Sequence, residues 1–256
     1  MHKSIGILGN GKLAKALAHR LRATGREPVF VAAREWTDEK RQHFKDLPLF
    51  ALDNALPATD ILFFCVSDGA IAALAQHYSA REINIHCSGA MPLELLPAGN
   101  AERAVAWPVH SFTRSDTDWS DIPLAVDAGS EESLRIVMEL CAVISGGMVR
   151  YMKDEERRQL HLAAVFVSNF TNAMFAAAEE VLQQDKDKMQ MLLPLLKDTT
   201  LRYEGRDAAE LQTGPALRGD EATMVRHKKY LEKLPLLNIL YSAVSDYIRT
   251  LRNPGR

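Results

Sequence analysis

The sequence predicts an α/β protein: a doubly wound parallel sheet over residues 1–152, then an all-helical domain over residues 153–256. Three observations lead there. Up to Tyr151, short apolar runs alternate with amphipathic stretches, as strand-helix alternation requires. Beyond Lys153 the apolar residues recur at steps of three and four, and no further strand pattern follows. Between the first apolar run and the first amphipathic stretch lies a glycine-rich turn.

In chain order, Ser4–Leu8 reads as the first strand. Lys12–Ala23 reads as a helix, with Leu13, Ala16, Leu17 and Leu21 on one face and Gly25 as its stop. Val29–Ala33 is the second strand. Ile61–Val66 is unbroken in its apolarity, as a strand buried on both faces is. Ala70–His77 is a helix and Ile83–Cys87 a strand. Ala104–Trp107 and Leu124–Val126 read as two more strands, Glu131–Ile144 as a helix, and Met148–Tyr151 as the closing strand. From Asp154 to about Gln184 no glycine or proline intervenes, and Leu160, Ala164, Val167, Phe170, Thr171, Met174 and Ala178 keep helical spacing. That predicts one long helix, too apolar through its middle for a solvated surface. Helices are further expected at Lys188–Leu201, Ala222–Leu234 and Leu236–Leu251.

A net charge of −2 offers no electrostatic footprint for nucleic acid or a membrane surface. No uninterrupted apolar run reaches the ~20 residues of a membrane span, and the opening residues lack the pattern of a secretory signal. Cys65, Cys87 and Cys141 form no C-x-x-C pair and sit in apolar surroundings. They read as buried thiols of a reducing compartment rather than as a metal site or disulfide framework. The expectation is a cytoplasmic protein without metal, whose partner is a small molecule.

The strongest motif is Gly6-Ile7-Leu8-Gly9-Asn10-Gly11-Lys12-Leu13-Ala14, a G-x-G-x-x-A pattern. Gly9 allows the tight turn, Gly11 leaves room for a pyrophosphate, and Ala14 lets the helix pack close to the strand. Asn10, Gly11, Lys12 and Leu13 then present backbone N–H groups at a helix N-terminus, where anions bind. The predicted domain is thus of the Rossmann type, and the predicted ligand is a nicotinamide dinucleotide. At the end of the second strand stands Val31-Ala32-Ala33-Arg34, with no acid to hold a ribose 2′-OH. Arg34 suits a 2′-phosphate, and Lys40 and Arg41 add positive field, so NADP is expected ahead of NAD. Later strand ends should border the same ligand: Val66 and Ser67 after one strand, Ser88 and Gly89 after the next. Ser67 and Ser88 read equally well as turn or cap residues.

For proton transfer, His161 on the long helix is the first candidate. Ser168, Asn169 and Asn172 follow at offsets that share its face in an α-helix, and Asn169 would orient the reacting group. Such a polar stripe lines a cleft or hydrogen-bonds across a helix contact. His110, after Trp107-Pro108, is the second candidate. His86 is the third, although a strand histidine is more often a satisfied core residue. Arg218 in Thr213–Asp220 suits an acidic substrate group. In the plainer reading that stretch is a helix connection and Asp220 caps the next helix. His227 could face the same space.

Several of these stretches occur in the same order in a known group. The glycine loop, Ser67-Asp68, His86-Cys87-Ser88-Gly89, Trp107–Phe112, the long helix and Thr213–Asp220 together resemble a group of uncharacterised NADP oxidoreductases. That group joins a Rossmann-like domain to a helical domain of unknown function. It is similar to pyrroline-5-carboxylate reductase, ketopantoate reductase and the deazaflavin-dependent NADP oxidoreductases. The resemblance implies a homodimer built through the helical domain, and no settled substrate. Related hydroxyacid dehydrogenases carry a Lys on the long helix; this chain has His161 and Asn169 there and no Lys. Two functions follow from these residues. One is an NADP(H)-dependent oxidoreductase acting on a small carbonyl, imine or hydroxy-acid; the other is a non-catalytic dinucleotide sensor.

Overall fold

A computed structural model describes residues 3–113, 117–146, 148–203 and 206–251. The chain divides into two compact units, residues 1–169 and 170–256, so the division falls inside the long helix rather than before it.

The first unit is built on one sheet of eight strands. Its strands are β1 (Ile5–Leu8), β2 (Phe30–Ala33), β3 (Leu49–Ala51), β4 (Ile61–Phe64), β5 (Ile83–His86), β6 (Glu102–Pro108), β7 (Leu124–Ala128) and β8 (Val149–Tyr151). They lie in the order β3-β2-β1-β4-β5-β6-β7-β8. Neighbours run parallel except β6 and β7, which are antiparallel. The helices are α1 (Lys12–Ala23), α2 (Asp38–His43), α3 (Asp68–Ala75), α4 (Glu131–Ser145) and the start of the long helix, α5 (Asp154–Ala164). Chain order reverses between β1 and β4, which makes a switch point at the carboxyl end of β1.

Burial explains the central strands. Every residue of β1, β2, β4 and β5 is buried, as the two covered faces of a doubly wound sheet require. One face packs Ile7, Phe63, Ile85 and Ala106 against Leu17 and Leu21 of α1 and Val137 and Cys141 of α4. The other packs Leu8, Phe30, Leu62 and Phe64 against Ile71 and Ala75 of α3. Helix α4 starts at a capping box between Ser130 and Ser133 and stops at Gly146, which takes the left-handed conformation (φ 60°). The expected end of β4 moves from Val66 to Phe64, because Ser67 already begins α3. Strand β3, which the sequence reading did not include, is a half-buried three-residue strand with no periodicity to announce it.

The long helix is not plain α-helix. After α5, residues Val165–Phe170 form a π-helical turn, and α6 (Thr171–Val181) follows. A wider turn changes the rotation per residue, so the α-helical offsets from His161 to Ser168, Asn169 and Asn172 do not carry through. Turns of this kind occur frequently at functional sites.

The second unit holds the rest of that helix and α7 (Lys186–Arg202), α8 (Pro215–Arg218), α9 (Glu221–Tyr230) and α10 (Pro235–Thr250). Asp185 caps α7 and Asp220 caps α9, each accepting a backbone N–H three residues on. Between these helices lies an apolar cavity of about 400 Å³, walled by residues such as Met174, Leu192, Pro215, Leu231, Leu240 and Val244.

His86 shows how the core treats a titratable group. It is fully buried at the end of β5. Its Nε2 lies 3.2 Å from the Pro92 carbonyl, and its Nδ1 accepts the Ser88 N–H at 3.2 Å, so a neutral imidazole satisfies both neighbours. Burial first, and the Arg157 charge second, push its pKa down from 6.5 to about 4. Between those values the unfolded chain takes up a proton that the folded chain refuses, so stability falls as pH falls through that window. The shift corresponds to about 3 kcal/mol. Urea unfolding of wild type and His86→Gln across the same pH range should show a shallower acid loss in the variant. Parallel curves would mean that His86 is not held neutral.

Candidate active site

The glycine turn is fixed by backbone geometry. Gly9 adopts φ +117°, and a Cβ there would fall 2.8 Å from the Cys65 carbonyl carbon and closer still to its oxygen. Only glycine fits. The Gly9 N–H donates to the Ala32 carbonyl (2.7 Å), and the Cys65 N–H donates to the Leu8 carbonyl (2.8 Å). The ends of β1, β2 and β4 are thereby tied together. Gly11 follows as the N-cap of α1, in ordinary extended geometry. A Cβ on Gly11 would meet nothing within 4 Å. No side chain caps this helix and no acid stands in its first turn. The first bond back to the cap runs from the Lys15 N–H to the Gly11 carbonyl (3.0 Å), which leaves the preceding amides at the helix mouth.

These amides open into a groove of about 530 Å³. Of the expected cofactor residues, Gly9, Asn10, Gly11, Lys12, Leu13, Arg34, Val66 and Ser67 all line it. Arg34 is exposed directly after β2, and Lys40 of α2 lines the same space. Glu35 lines it too, and its carbonyl accepts a hydrogen bond from Asn10 Nδ2 (2.7 Å). Asn10 thus braces the turn against the loop after β2. Ser67 sits at the N-cap of α3 but bonds none of its amides. Leu52, Ala70 and Leu74, which no motif marks, supply an apolar end to the groove.

Ser88 and Gly89 are not among the groove's lining residues. Ser88 is buried, and its hydroxyl accepts the N–H groups of Ala90 and Met91, both at 3.2 Å, which is the turn role. Gly89 is small for a different reason than a ligand. A Cβ there would lie 2.6 Å from Trp107 Cδ2. The same indole meets His161, whose ring centroid lies 5.5 Å away at a tilt of 54°. Gly89 and half-buried His161 therefore both pack on Trp107 at the β5 and β6 strand ends. His110 is exposed and packs edge-on against Phe112 at 5.0 Å, and Phe112 against Trp119 at 5.2 Å. Ser168, Asn169 and Asn172 are exposed.

A charged cluster that sequence reasoning missed holds α5 in place. Arg157, one turn before His161, is completely buried. Its Nη2 donates to the Met91 carbonyl (2.7 Å) and to Asp154, and its Nη1 lies 3.5 Å from Asp127 Oδ2. Asp154 also accepts the Leu93 N–H at 3.2 Å. Burial pushes the Asp127 carboxyl above its ordinary range, partly offset by the Ala128 N–H and by Arg157. The one sequence hint is an i,i+3 acid-base pair, Asp154 and Arg157, at a helix start.

In the second unit, Arg218 is exposed at the end of α8. Thr213–Ala216 line the apolar cavity, as does Tyr241, whose hydroxyl lies 2.9 Å from His227 Nδ1. Asp220 does cap α9; the Thr223 N–H it accepts holds its carboxyl below the usual range, with Arg226 and Arg218 adding to the effect. Among the described residues, no group of three or more His, Cys, Asp or Glu could hold a metal ion.

Comparison with known proteins places this architecture. Residues 4–88 match the family described as NADP oxidoreductase, coenzyme F420-dependent, and residues 122–248 match a domain of unknown function, DUF2520. No curated protein matches the chain. Among solved structures it is similar to "putative NADP oxidoreductase BF3122 from Bacteroides fragilis", at 29% identity over 97% of this chain and 98% of that one, with a TM-score of 0.87. It shares its fold with a reductive aminase from Aspergillus terreus in complex with NADPH and ethyl-5-oxohexanoate (17% identity, 98% of both chains, TM-score 0.70). It also does so with a pyrroline-5-carboxylate reductase from Coxiella burnetii (15% identity, 98% and 99% of the chains, TM-score 0.51). The cofactor expected from Arg34 and the glycine loop, NADP, is named in the description of the family that residues 4–88 match.

The two glycines separate turn geometry from ligand space. Gly9→Ala should lower stability by more than about 2 kcal/mol, through strain and overlap together. Gly11→Ala should cost less than about 1 kcal/mol yet weaken dinucleotide binding strongly, because its methyl fills only ligand space. Chemical denaturation and NADPH titration of both variants measure the contrast. A stable, tightly binding Gly11→Ala protein would put the pyrophosphate elsewhere.

Proposed function

We propose that this chain is an NADP(H)-dependent oxidoreductase that transfers a hydride to or from a small carbonyl, imine or hydroxy-acid substrate. One observation carries the reading: the uncapped amides of α1, the open space over Gly11 and the cations Arg34 and Lys40 line a single groove. The amides and the helix dipole suit a pyrophosphate. The guanidinium of Arg34 suits a 2′-phosphate; no acid precedes it on β2, and the acid that follows it, Glu35, lines the same groove. When bound, the nicotinamide supplies the hydride; the chain must orient the substrate and manage a proton.

His161 is the proposed proton donor or acceptor. An imidazole exchanges protons near neutral pH. Its tilted ring contact with Trp107 and the Arg157 anchor one turn earlier hold its ring beside the β5 and β6 strand ends. Ligands of such folds lie beyond the carboxyl ends of the strands. Asn169 in the π-helical turn is the proposed orienting amide, and exposed Arg218 the proposed holder of an anionic substrate group. His110 is the alternative proton carrier. The oxidoreductase description of the family over residues 4–88 favours turnover over a sensor.

We also propose that the functional form is a homodimer. Within Asp154–Val181 an 18-residue window has a mean hydropathy of 1.3, and none of that window is buried in the chain. Val167 is 74% exposed, Leu236 79% and Met191 78%. Apolar surface on this scale marks an interaction site. By length and composition this helix could also cross a membrane. Ser168, Asn169 and Asn172 on it would lose their hydrogen bonds in lipid, whereas a second copy can satisfy them.

Titration with NADPH and NADH tests the first reading. Arg34→Ala should weaken NADPH about tenfold or more and NADH less than about twofold. His161→Ala should leave both affinities within about twofold while lowering turnover in a screen of carbonyl, imine and hydroxy-acid compounds. Equal weakening of both cofactors by Arg34→Ala would refute the NADP assignment, and unchanged turnover in His161→Ala would move the proton carrier. Light scattering tests the second: twice the chain mass is expected for wild type and the single chain mass for folded Val167→Glu. A wild-type monomer at all concentrations would refute the dimer.

A further inference from the structure

Two cysteines far apart in sequence meet beneath the nucleotide groove. Strands β4 and β5 pair in register, Phe64 opposite His86, and Cys65 and Cys87 are the next residue on each. Their sulfurs lie 3.9 Å apart. Both belong to the core face shared with α1; Cys65 is nearly buried and Cys87 half-buried. Neighbouring strands run about 4.8 Å apart, within the Cα range that a disulfide spans, so the link needs the sulfurs to close by about 2 Å and no strand rearrangement.

Cys65 is also the residue on which the glycine turn rests. Its carbonyl is what excludes a side chain at Gly9, its N–H bonds the Leu8 carbonyl, and it lines the groove. A sulfur drawn toward β5 therefore pulls on the backbone that holds the turn.

We propose that Cys65 and Cys87 form a reversible disulfide that loosens the glycine turn and gates nucleotide binding. The gating half rests on the groove reading above. With a peroxide as oxidant, the Cys87 thiolate attacks one peroxide oxygen, the O–O bond breaks, and the departing oxygen leaves as water. Cys65 sulfur then attacks the Cys87 sulfenic sulfur, the S–O bond breaks, and a second water leaves. Two thiols and one peroxide give one disulfide and two waters; the thiol protons end on the departing oxygens. Cys87 goes first because it is the more accessible; its hydrogen bond to Cys65, together with burial, keeps the Cys65 thiol protonated. Cys141, fully buried in the same core, is the internal control.

The full chain, oxidised with hydrogen peroxide and alkylated, should drop from three free thiols to one, with peptide mass mapping joining Cys65 to Cys87. NADPH affinity should fall about tenfold and return on reduction with dithiothreitol. Saturating NADP⁺ should slow the oxidation. Cys141→Ser should behave as wild type, and Cys87→Ser and Cys87→Ala should keep their NADPH affinity under peroxide. A Cys87–Cys141 link, over-oxidised Cys87 without a link, or a Cys65–Cys87 link with unchanged affinity would overturn the proposal. Reduced protein that binds no NADPH would instead refute the groove reading, and the gating with it.

Discussion

The structure depends on a contact that leaves no room for a side chain, Gly9 against the carbonyl of Cys65. Because β1 can end that tightly, the chain turns at once into α1, and the helix begins with its amides aimed at the sheet's carboxyl edge. The Gly9 N–H then reaches the Ala32 carbonyl, which sets the tip of β2, and with it Arg34, beside those amides. Three strand ends are held by two backbone hydrogen bonds and one steric exclusion. A larger residue at Gly9 would move all three, and the groove is the space between them.

A second constraint acts on the long helix. A guanidinium with no exposure is tolerated only when paired, because an uncompensated buried charge costs several kcal/mol. Arg157 meets Asp154 on its own helix, Asp127 on β7 and the Met91 carbonyl before the 3₁₀ turn at Leu93–Leu95. These partners come from three segments, so the first turn of α5 has one position on the sheet. His161 lies one turn further, and Trp107 meets it from β6. The π-helical turn begins immediately after this fixed segment. Residues before it take their place from the sheet, and Asn169 lies within the turn itself.

What the sequence made legible follows from how local each signal is. Ile61–Phe64 and Ile83–Ile85 announce buried parallel strands by composition, and the glycine turn announces itself by its place between strand and helix. Arg34 is legible because the tip of β2 is one residue away. The unread features depend on distant partners. Leu49–Ala51 becomes a strand only because β2 offers it an edge. The burial of Arg157 depends on residues 30 positions upstream in β7. Ser88 looks like a ligand contact, yet its hydroxyl is used by the two amides that follow it. The proximity of Cys65 and Cys87 is a consequence of strand register, which spacing along the chain does not encode. No local pattern marks the π-helical turn at Val165–Phe170 either, since its residues suit an α-helix equally well.

The order of the strands gives the proposed chemistry a direction. From the switch point between β1 and β4, connections run one way to β2 and β3 and the other way to β5 and β6. Cationic Arg34 stands on the first side, with the uncapped amides of α1 at the switch point itself. The Gly89–Trp107–His161 contact stands on the second side. A dinucleotide is an extended molecule with charge at its phosphates and reactivity at one ring. In the proposed binding mode, laid from Arg34 across the glycine turn, it directs its nicotinamide end toward β5, where the chain places an imidazole, an indole and a glycine. The charge proposed to bind and the group proposed to exchange a proton are therefore kept several strands apart. On that proposal, His161 can be altered without disturbing the phosphates, and Arg34 without disturbing the proton.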